Sequence, residues 1–164
     1  MIEFFIALLV GGLVGSLGEY WVHRGMHRGM LYGAAHFAHH SLNHPQGWLR
    51  EYWAYVQASG LWLFAVAIGA YVFAGIAPTM GWLVGTFGFL ALSAYTHMLY
   101  HVDPNLVFWV KRPIHYFHHG EAQSSHNFGV TTDVWDRLFK TYKDDPSWQP
   151  QPVSRRKVLS IPWL

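Results

Sequence analysis

The stretch that decides the fold runs from Tyr52 to Val102 and reads YWAYVQASGLWLFAVAIGAYVFAGIAPTMGWLVGTFGFLALSAYTHMLYHV. It contains no Asp, Glu, Lys or Arg. A helix of about 20 apolar residues crosses the ~30 Å hydrocarbon core of a bilayer, so this stretch has room for two spans. Because proline ends a helix well, Ala77-Pro78-Thr79 divides it, and we predict membrane helices at about 54–77 and 80–100.

A third apolar segment lies at the N-terminus. Residues 2–22 reach the length of a span if Glu3 and Glu19 lie at the two interfaces. Because the residues before the apolar run carry no positive charge, we interpret it as a retained span rather than a cleaved signal peptide. We expect its glycines to let another helix approach closely, as small residues do in membranes. These glycines are Gly11, Gly12, Gly15 and Gly18.

The positive charges lie on one side of this arrangement. With the N-terminus outside, residues 23–53 and 101–164 share a side, and all 11 Lys and Arg fall there. This is the positive-inside pattern, so we place that face in the cytoplasm, at a bacterial inner membrane or the endoplasmic reticulum. The sequence predicts one all-α integral membrane domain over 1–164. It has about three transmembrane helices, an interfacial or half helix around 30–37, and a cytoplasmic helical cap.

All 12 histidines fall on that face or at its membrane boundary, and ten of them form four sets at helical spacing. Residues three and four apart share one helix face, so each set projects two or three imidazoles in one direction. We expect the first and third spans to run in opposite directions and still to bring their histidines to the same boundary. The sets are His23 and His27; His36, His39 and His40; His97 and His101; and His115, His118 and His119.

The ten grouped histidines indicate a metal site. Imidazole binds Fe, Zn, Cu and Ni, and two metals with about five nitrogen ligands each would use all ten side chains. The absence of cysteine excludes disulfides, thiolate zinc sites and iron–sulfur clusters. The formal net charge of +2, without a basic stripe, gives no indication of nucleic-acid binding.

Five further residues are candidates for additional ligands or for partners that orient the ligands. Glu19 lies one helical turn before His23, where a carboxylate can accept the second N–H of a ligand histidine. The alternative for Glu19 is an interfacial carboxylate at the end of the span, and for Asp136 it is a turn or capping role. The five candidates are His44, His126, Glu19, Asn127 and Asp136.

These motifs resemble the fatty acid hydroxylase and sterol desaturase superfamily of integral-membrane di-iron proteins, over about residues 19–142. The first box has sterol-type spacing, whereas residues 129–136 resemble the fatty acid 2-hydroxylases, so the lipid substrate stays open. Lys140 stands where many relatives have glycine. The matching segments are His23-Arg24-Gly25-Met26-His27, His36-Phe37-Ala38-His39-His40, His97-Met98-Leu99-Tyr100-His101, His115-Tyr116-Phe117-His118-His119, Asn127-Phe128-Gly129 and Trp135-Asp136-Arg137-Leu138-Phe139-Lys140-Thr141-Tyr142.

The resemblance implies O2-dependent hydroxylation of a C–H bond in a membrane lipid, which is a fatty acyl chain, a sterol or a carotenoid. It implies two iron ions held by the ten histidines, with zinc able to replace them in purified protein, and O2 as co-substrate. The chain shows no flavin, haem or iron–sulfur motif. Electrons would therefore come from a cytochrome b5, a ferredoxin or a reductase, docked on basic residues such as Lys111, Arg112 and Arg155-Arg156-Lys157.

Three alternatives stay open. A lipid desaturase would use the same site, and its product would lose two hydrogens rather than gain an oxygen. A metal transporter or other non-enzymatic metal-binding protein belongs to a different class, but transporters usually place their ligands near the membrane midplane. A bis-histidine haem protein would need only two or four of the histidines.

Overall fold

The structure is a computed structural model that describes residues 1–120 and 125–160. Within these residues every regular element is helical, which confirms the predicted all-α class. The α-helices are α1 (Ile2–Met26), α2 (Gly33–Leu42), α3 (Trp48–Ala74), α4 (Ile76–Val102), α5 (Ile114–His118) and α6 (Val134–Leu138), with 3-10 turns at Pro104–Leu106 and Arg155–Ser160. Three of them, α1, α3 and α4, are long and apolar enough to cross a membrane, so the chain is an integral membrane protein.

The helix boundaries differ from the predicted ones around the proline. The break between α3 and α4 is at Gly75, whose φ of +85° is readily adopted only by glycine, and not at Ala77-Pro78-Thr79. Pro78 lies in the first turn of α4. Backbone N–H groups there have no hydrogen-bond partner within the helix, so a proline costs no helical hydrogen bond. Each span also extends further toward the histidine-bearing end than predicted. The predicted ends follow the apolar residues, whereas the helical backbone continues into polar residues beyond them.

The contact between α1 and α4 organises the bundle. Gly81 faces the carbonyl oxygen of Phe4, and Gly85, one turn later, faces that of Leu8; a Cβ on either glycine would lie 2.2 Å from that oxygen. Both contacts advance along the two chains together, so α1 and α4 are parallel. The expectation that the first and third spans run in opposite directions is therefore wrong. Each span reverses the chain across the membrane, so the first and third of three share a direction.

The glycines of α1 contribute to this contact only in part. Gly11 and Gly15 face α4, where an added Cβ would lie 2.8 Å from the Trp82 carbonyl oxygen and 2.9 Å from the Phe89 ring, respectively. Gly12 and Gly18 face open space, so the expected close approach is wrong for these two. The glycines four residues apart in α4 complete the small-residue interface that membrane helices use to pack closely.

The elements outside the spans collect at one end of the bundle. The expected half helix is α2, which begins three residues later than predicted and extends to Leu42. It ends at Asn43, whose φ of +45° turns the chain away. The segment after α4 folds back on that helix around a small apolar core of Met98, Leu99, Tyr100, Leu106, Val107, Val130 and Val158.

Candidate metal centre

Ten histidines converge at the end of the bundle where α1 and α4 both terminate. The last turn of α1 and its cap carry His23 and His27, and the last turns of α4 carry His97 and His101. The histidines of the other two sets lie on α2 and on α5 with its C-cap residue. The helical placement expected from their spacing is confirmed for all four sets.

We call five of these side chains the first group: His23, His27, His36, His40 and His118. One ring nitrogen from each lies within 4.8 Å of all the others. His36 is central, since its Nε2 lies 2.8 Å from Nε2 of His27, 3.0 Å from that of His40 and 3.1 Å from that of His23. The Nε2 atoms of His118 and His27 are 2.7 Å apart.

We call four others the second group: His39, His97, His101 and His119. The Nε2 atom of His39 lies 3.1 Å from that of His97 and 3.0 Å from that of His101. His115 lies beside this group, with its Nε2 3.1 Å from that of His119. The ten histidines therefore divide into five in the first group and five in or beside the second.

The two groups are adjacent rather than separate sites. The ring of His40, in the first group, stacks on the ring of His119, in the second, with centroids 4.2 Å apart and an interplanar angle of 11°. The neighbouring residues His39 and His40 of α2 belong to different groups, so this short helix contributes to both.

In the first group, backbone carbonyls fix the state of two rings. His23 Nδ1 lies 2.5 Å from the carbonyl oxygen of Phe128, and His118 Nδ1 bonds that of His126. A carbonyl only accepts, so each Nδ1 carries the hydrogen and each Nε2 presents a lone pair. Nε2 of His36 has at most one hydrogen for three facing nitrogens. Some of these nitrogens therefore face each other with lone pairs and no hydrogen between them, which is repulsive. A cation bound among them would turn this repulsion into attraction, so the set of nitrogens fits a metal ion.

In the second group, side chains and not backbone carbonyls meet the Nδ1 atoms of two rings. His97 Nδ1 lies 2.5 Å from Glu51 Oε2, and both side chains are buried, at 8% and 5% exposure. The side-chain amide of Gln46 lies 3.1 Å from His39 Nδ1. Glu51 was missed by the sequence analysis. Its position in the sequence could have indicated the role. Glu51 is the last carboxylate before the uncharged stretch, at the boundary where the histidines collect.

Burial keeps the grouped imidazoles of α2 and α5 neutral. Burial first, and neighbouring histidines second, lower the pKa of His39 to about 4 and that of His40 to about 3. Burial also sets the pKa of His115 and His118 well below the ordinary value. Neutral imidazole is the form that binds metals, so at neutral pH these rings are ready to act as ligands.

Glu19 bonds backbone and hydroxyl groups, not a histidine ring. Its Oε1 accepts hydrogen bonds from the backbone N–H of Val130 (2.8 Å) and Thr131 (3.1 Å), and its Oε2 accepts from the hydroxyls of Thr131 and Ser93. Of the two roles left open for Glu19, a hydrogen bond from a ligand histidine is not formed with His23, whose Nδ1 is taken by the Phe128 carbonyl. Glu19 instead joins α1 to α4 and to the loop that supplies this carbonyl.

Asn127, Phe128 and Gly129 form that loop, and each has a separate task. Asn127 is fully buried with φ of +58°, and its side chain bonds the backbone N–H and carbonyl of Lys143 at 2.8 and 2.7 Å. Phe128 packs its ring on three histidines of the first group. A Cβ on Gly129 would lie 2.2 Å from the Thr132 carbonyl oxygen, so only glycine fits.

Asp136 holds this loop in place. Its fully buried carboxylate accepts from the backbone N–H of Phe128 (2.8 Å) and Gly129 (2.7 Å) and from the Thr141 hydroxyl (2.7 Å). Burial raises its pKa, and these hydrogen bonds oppose the rise. Neither Asp136 nor Asn127 reaches a histidine ring; both act on the backbone. Lys140 follows with φ of +58°, in the left-handed region that favours glycine.

The remaining candidates lie outside both groups. The ring of His44 is exposed, and its Nδ1 lies 3.1 Å from the Pro45 carbonyl oxygen. The ring of His126 is bonded to the Ser125 hydroxyl, although its backbone carbonyl supports His118. The guanidinium of Arg112, expected on a docking face, is engaged by Asp144 and by the carbonyls of Asp145 and Trp148. The side chains of Arg155 and Arg156 lie outside the described residues.

Comparison with known families agrees with the resemblance seen in the motifs. The model of the fatty acid hydroxylase family matches residues 8–141, which is more than half of the chain and includes all ten grouped histidines and the Asn127 loop. The chain therefore belongs to the fatty acid hydroxylase family. No curated protein and no solved structure matches it significantly.

Proposed function

We propose that this member of the fatty acid hydroxylase family hydroxylates a C–H bond of a membrane lipid with O2, at two iron ions held by its histidines. The observation that carries the proposal is the convergence of ten imidazoles, in two adjacent groups, at one end of three membrane helices. The lipid is a fatty acyl chain, a sterol or a carotenoid. Zinc could replace iron in purified protein, since the same imidazoles accept both metals.

The donor set fits two metal positions. The five rings of the first group would hold one ion, and the four of the second group, with His115 beside them, would hold the other. When bound, the iron ions would supply the O2 activation and the oxidising power needed to break an unactivated C–H bond. The chain itself supplies neutral ligands, hydrogen bonds that fix several of them, and partial to full burial of their rings.

The position of the groups suits a substrate that stays in the bilayer. They lie where α1 and α4 end, so a lipid can bring part of its tail to the histidines without passing through water. The outward faces of α1 and α3 are apolar and exposed, as expected for lipid contact; examples are Leu9, Leu13, Leu61 and Phe73.

We place the histidine-bearing end in the cytoplasm, at a bacterial inner membrane or the endoplasmic reticulum, on the strength of the Lys and Arg distribution. An external cytochrome b5, ferredoxin or reductase would deliver the two electrons there. Arg112 is engaged within the chain, so its charge supports the fold of the tail rather than the docking of this partner.

Lipid analysis of a host that expresses the chain tests this proposal. The full chain should produce lipids that gain one oxygen, whereas His118→Ala, at equal level in the membrane, should produce none, because the ring bonded to His27 and to the His126 carbonyl is lost. Lipids that lose two hydrogens would instead establish the desaturase alternative. Identical lipids in the two hosts would contradict both, and would favour a non-enzymatic metal-binding function.

A further inference from the structure

We infer that Glu51 positions His97 and makes the two metal positions chemically unequal. The inference rests on the proposed metal site. It concerns a residue in no histidine motif, and it starts from the contacts of a single buried carboxylate.

Glu51 contacts one member of the second group and the backbone beside another. Its Oε2 lies 2.5 Å from His97 Nδ1, and its Oε1 lies 3.5 Å from the backbone nitrogen of Gln46. The side chain of Gln46 in turn lies 3.1 Å from His39 Nδ1. From the first turn of α3, the carboxylate thus orients one ligand directly and lies beside the residue whose side chain meets a second.

The charge of Glu51 is directed at the second group. Glu51 forms an ion pair with His97. The neighbouring Arg50 is exposed, and no ion pair between it and Glu51 is found among the described residues. In a buried setting such a charge is weakly screened. A carboxylate on the distal nitrogen of a ligand histidine raises the basicity of the metal-binding nitrogen. Nε2 of His97 is therefore a stronger donor than an imidazole whose Nδ1 meets a neutral acceptor.

The first group has neutral acceptors at the corresponding places. Nδ1 of His23 and Nδ1 of His118 both meet backbone carbonyls, from Phe128 and His126. The carboxylates nearest the first group, Glu19 and Asp136, bond backbone N–H and hydroxyl groups instead of a ring. A metal in the second group therefore gains a carboxylate bonded directly to one of its ligands, which a metal in the first group lacks. The second-group metal should bind more tightly than the first-group metal. When the metal is iron, its higher oxidation state should also be stabilised more in the second group than in the first.

The test measures both metals separately in the full-length protein. The zinc-loaded wild type and Glu51→Gln are titrated with a chelator, and the same proteins loaded with 57Fe are examined by Mössbauer spectroscopy. We expect Glu51→Gln to weaken one of the two zinc ions by about 10- to 100-fold, the typical cost of losing such a partner, and to leave the other unchanged. One of two iron signals should change.

Two further variants separate positioning from general damage. Glu51→Asp keeps the charge and should recover part of the lost affinity, while Glu3→Gln changes an exposed carboxylate at the other end of α1 and should change neither metal. Equal weakening of both metals by Glu51→Gln, or of neither, would overturn the inference while leaving the metal site intact. A wild type that retains no stoichiometric metal would instead overturn the proposed function on which it rests.

Discussion

The two histidine groups are built from the same side chain but are supported differently. Rings of the first group come from α1, α2 and α5, and backbone carbonyls of the loop after α5 fix two of them. Rings of the second group come from α2, α4 and the end of α5, and the side chains of Glu51 and Gln46 support two of them. One group depends on the fold of a loop, and the other on side chains at the start of a membrane helix.

The two groups depend on different helices. α1 contributes only to the first group and α4 only to the second, while α2 contributes to both. The parallel contact between α1 and α4 therefore sets how the two groups meet. Damage to the loop should affect the first group, damage to the helix contact should affect both, and changes at histidines outside the groups should affect neither.

The largest effect is expected from Asp136→Ala. Removing the carboxylate leaves the buried N–H groups of Phe128 and Gly129 without acceptors and releases the loop, which should cost about 3 kcal/mol of stability. Unfolding in detergent and metal titration would measure this, with the first-group metal weakened more than the second. Asp133→Ala, which removes the exposed pair with Arg137 in the same region, is the control and should cost less than about 1 kcal/mol. Equal losses of stability in the two variants would contradict the role of Asp136 in holding the loop.

An intermediate effect is expected from Gly85→Ala. Its Cβ would meet the Leu8 carbonyl oxygen and push α1 away from α4, which should cost about 1–3 kcal/mol. Gly88→Ala is the matched control, since open space surrounds that position and alanine favours a helix. Thermal unfolding and metal content together measure the result. Both metals should weaken in Gly85→Ala; if Gly88→Ala destabilises as much, the close contact is not what holds the groups together.

The smallest effect is expected from His126→Ala. The substitution keeps the carbonyl that supports His118 and removes only a ring outside both groups, so stability should change by less than about 0.5 kcal/mol. Metal content and lipid product should stay at the wild-type level, as they should in His44→Ala. Loss of a metal ion in either variant would mean that the groups extend beyond the ten histidines.

Helical periodicity explains why the histidines could be found from sequence while their supports could not. A spacing of three or four places side chains on one face whatever the tertiary structure, so the sets on α1, α2, α4 and α5 were predictable. The partners of Nδ1 are distant in the chain: Phe128 for His23, and Glu51 for His97. Glu19 shows the limit of local reasoning, because a residue one turn from His23 bonds α4 and a loop instead.

Metal content is the most direct test of the central claim that the histidines form two metal positions. Elemental analysis of purified wild type, His36→Ala and His101→Ala compares the intact site with a lesion in each group. We predict about two metal ions per wild-type chain and about one in each variant, because each lesion removes a ligand from a different group. A wild type without stoichiometric metal, or variants that both retain two ions, would contradict the account.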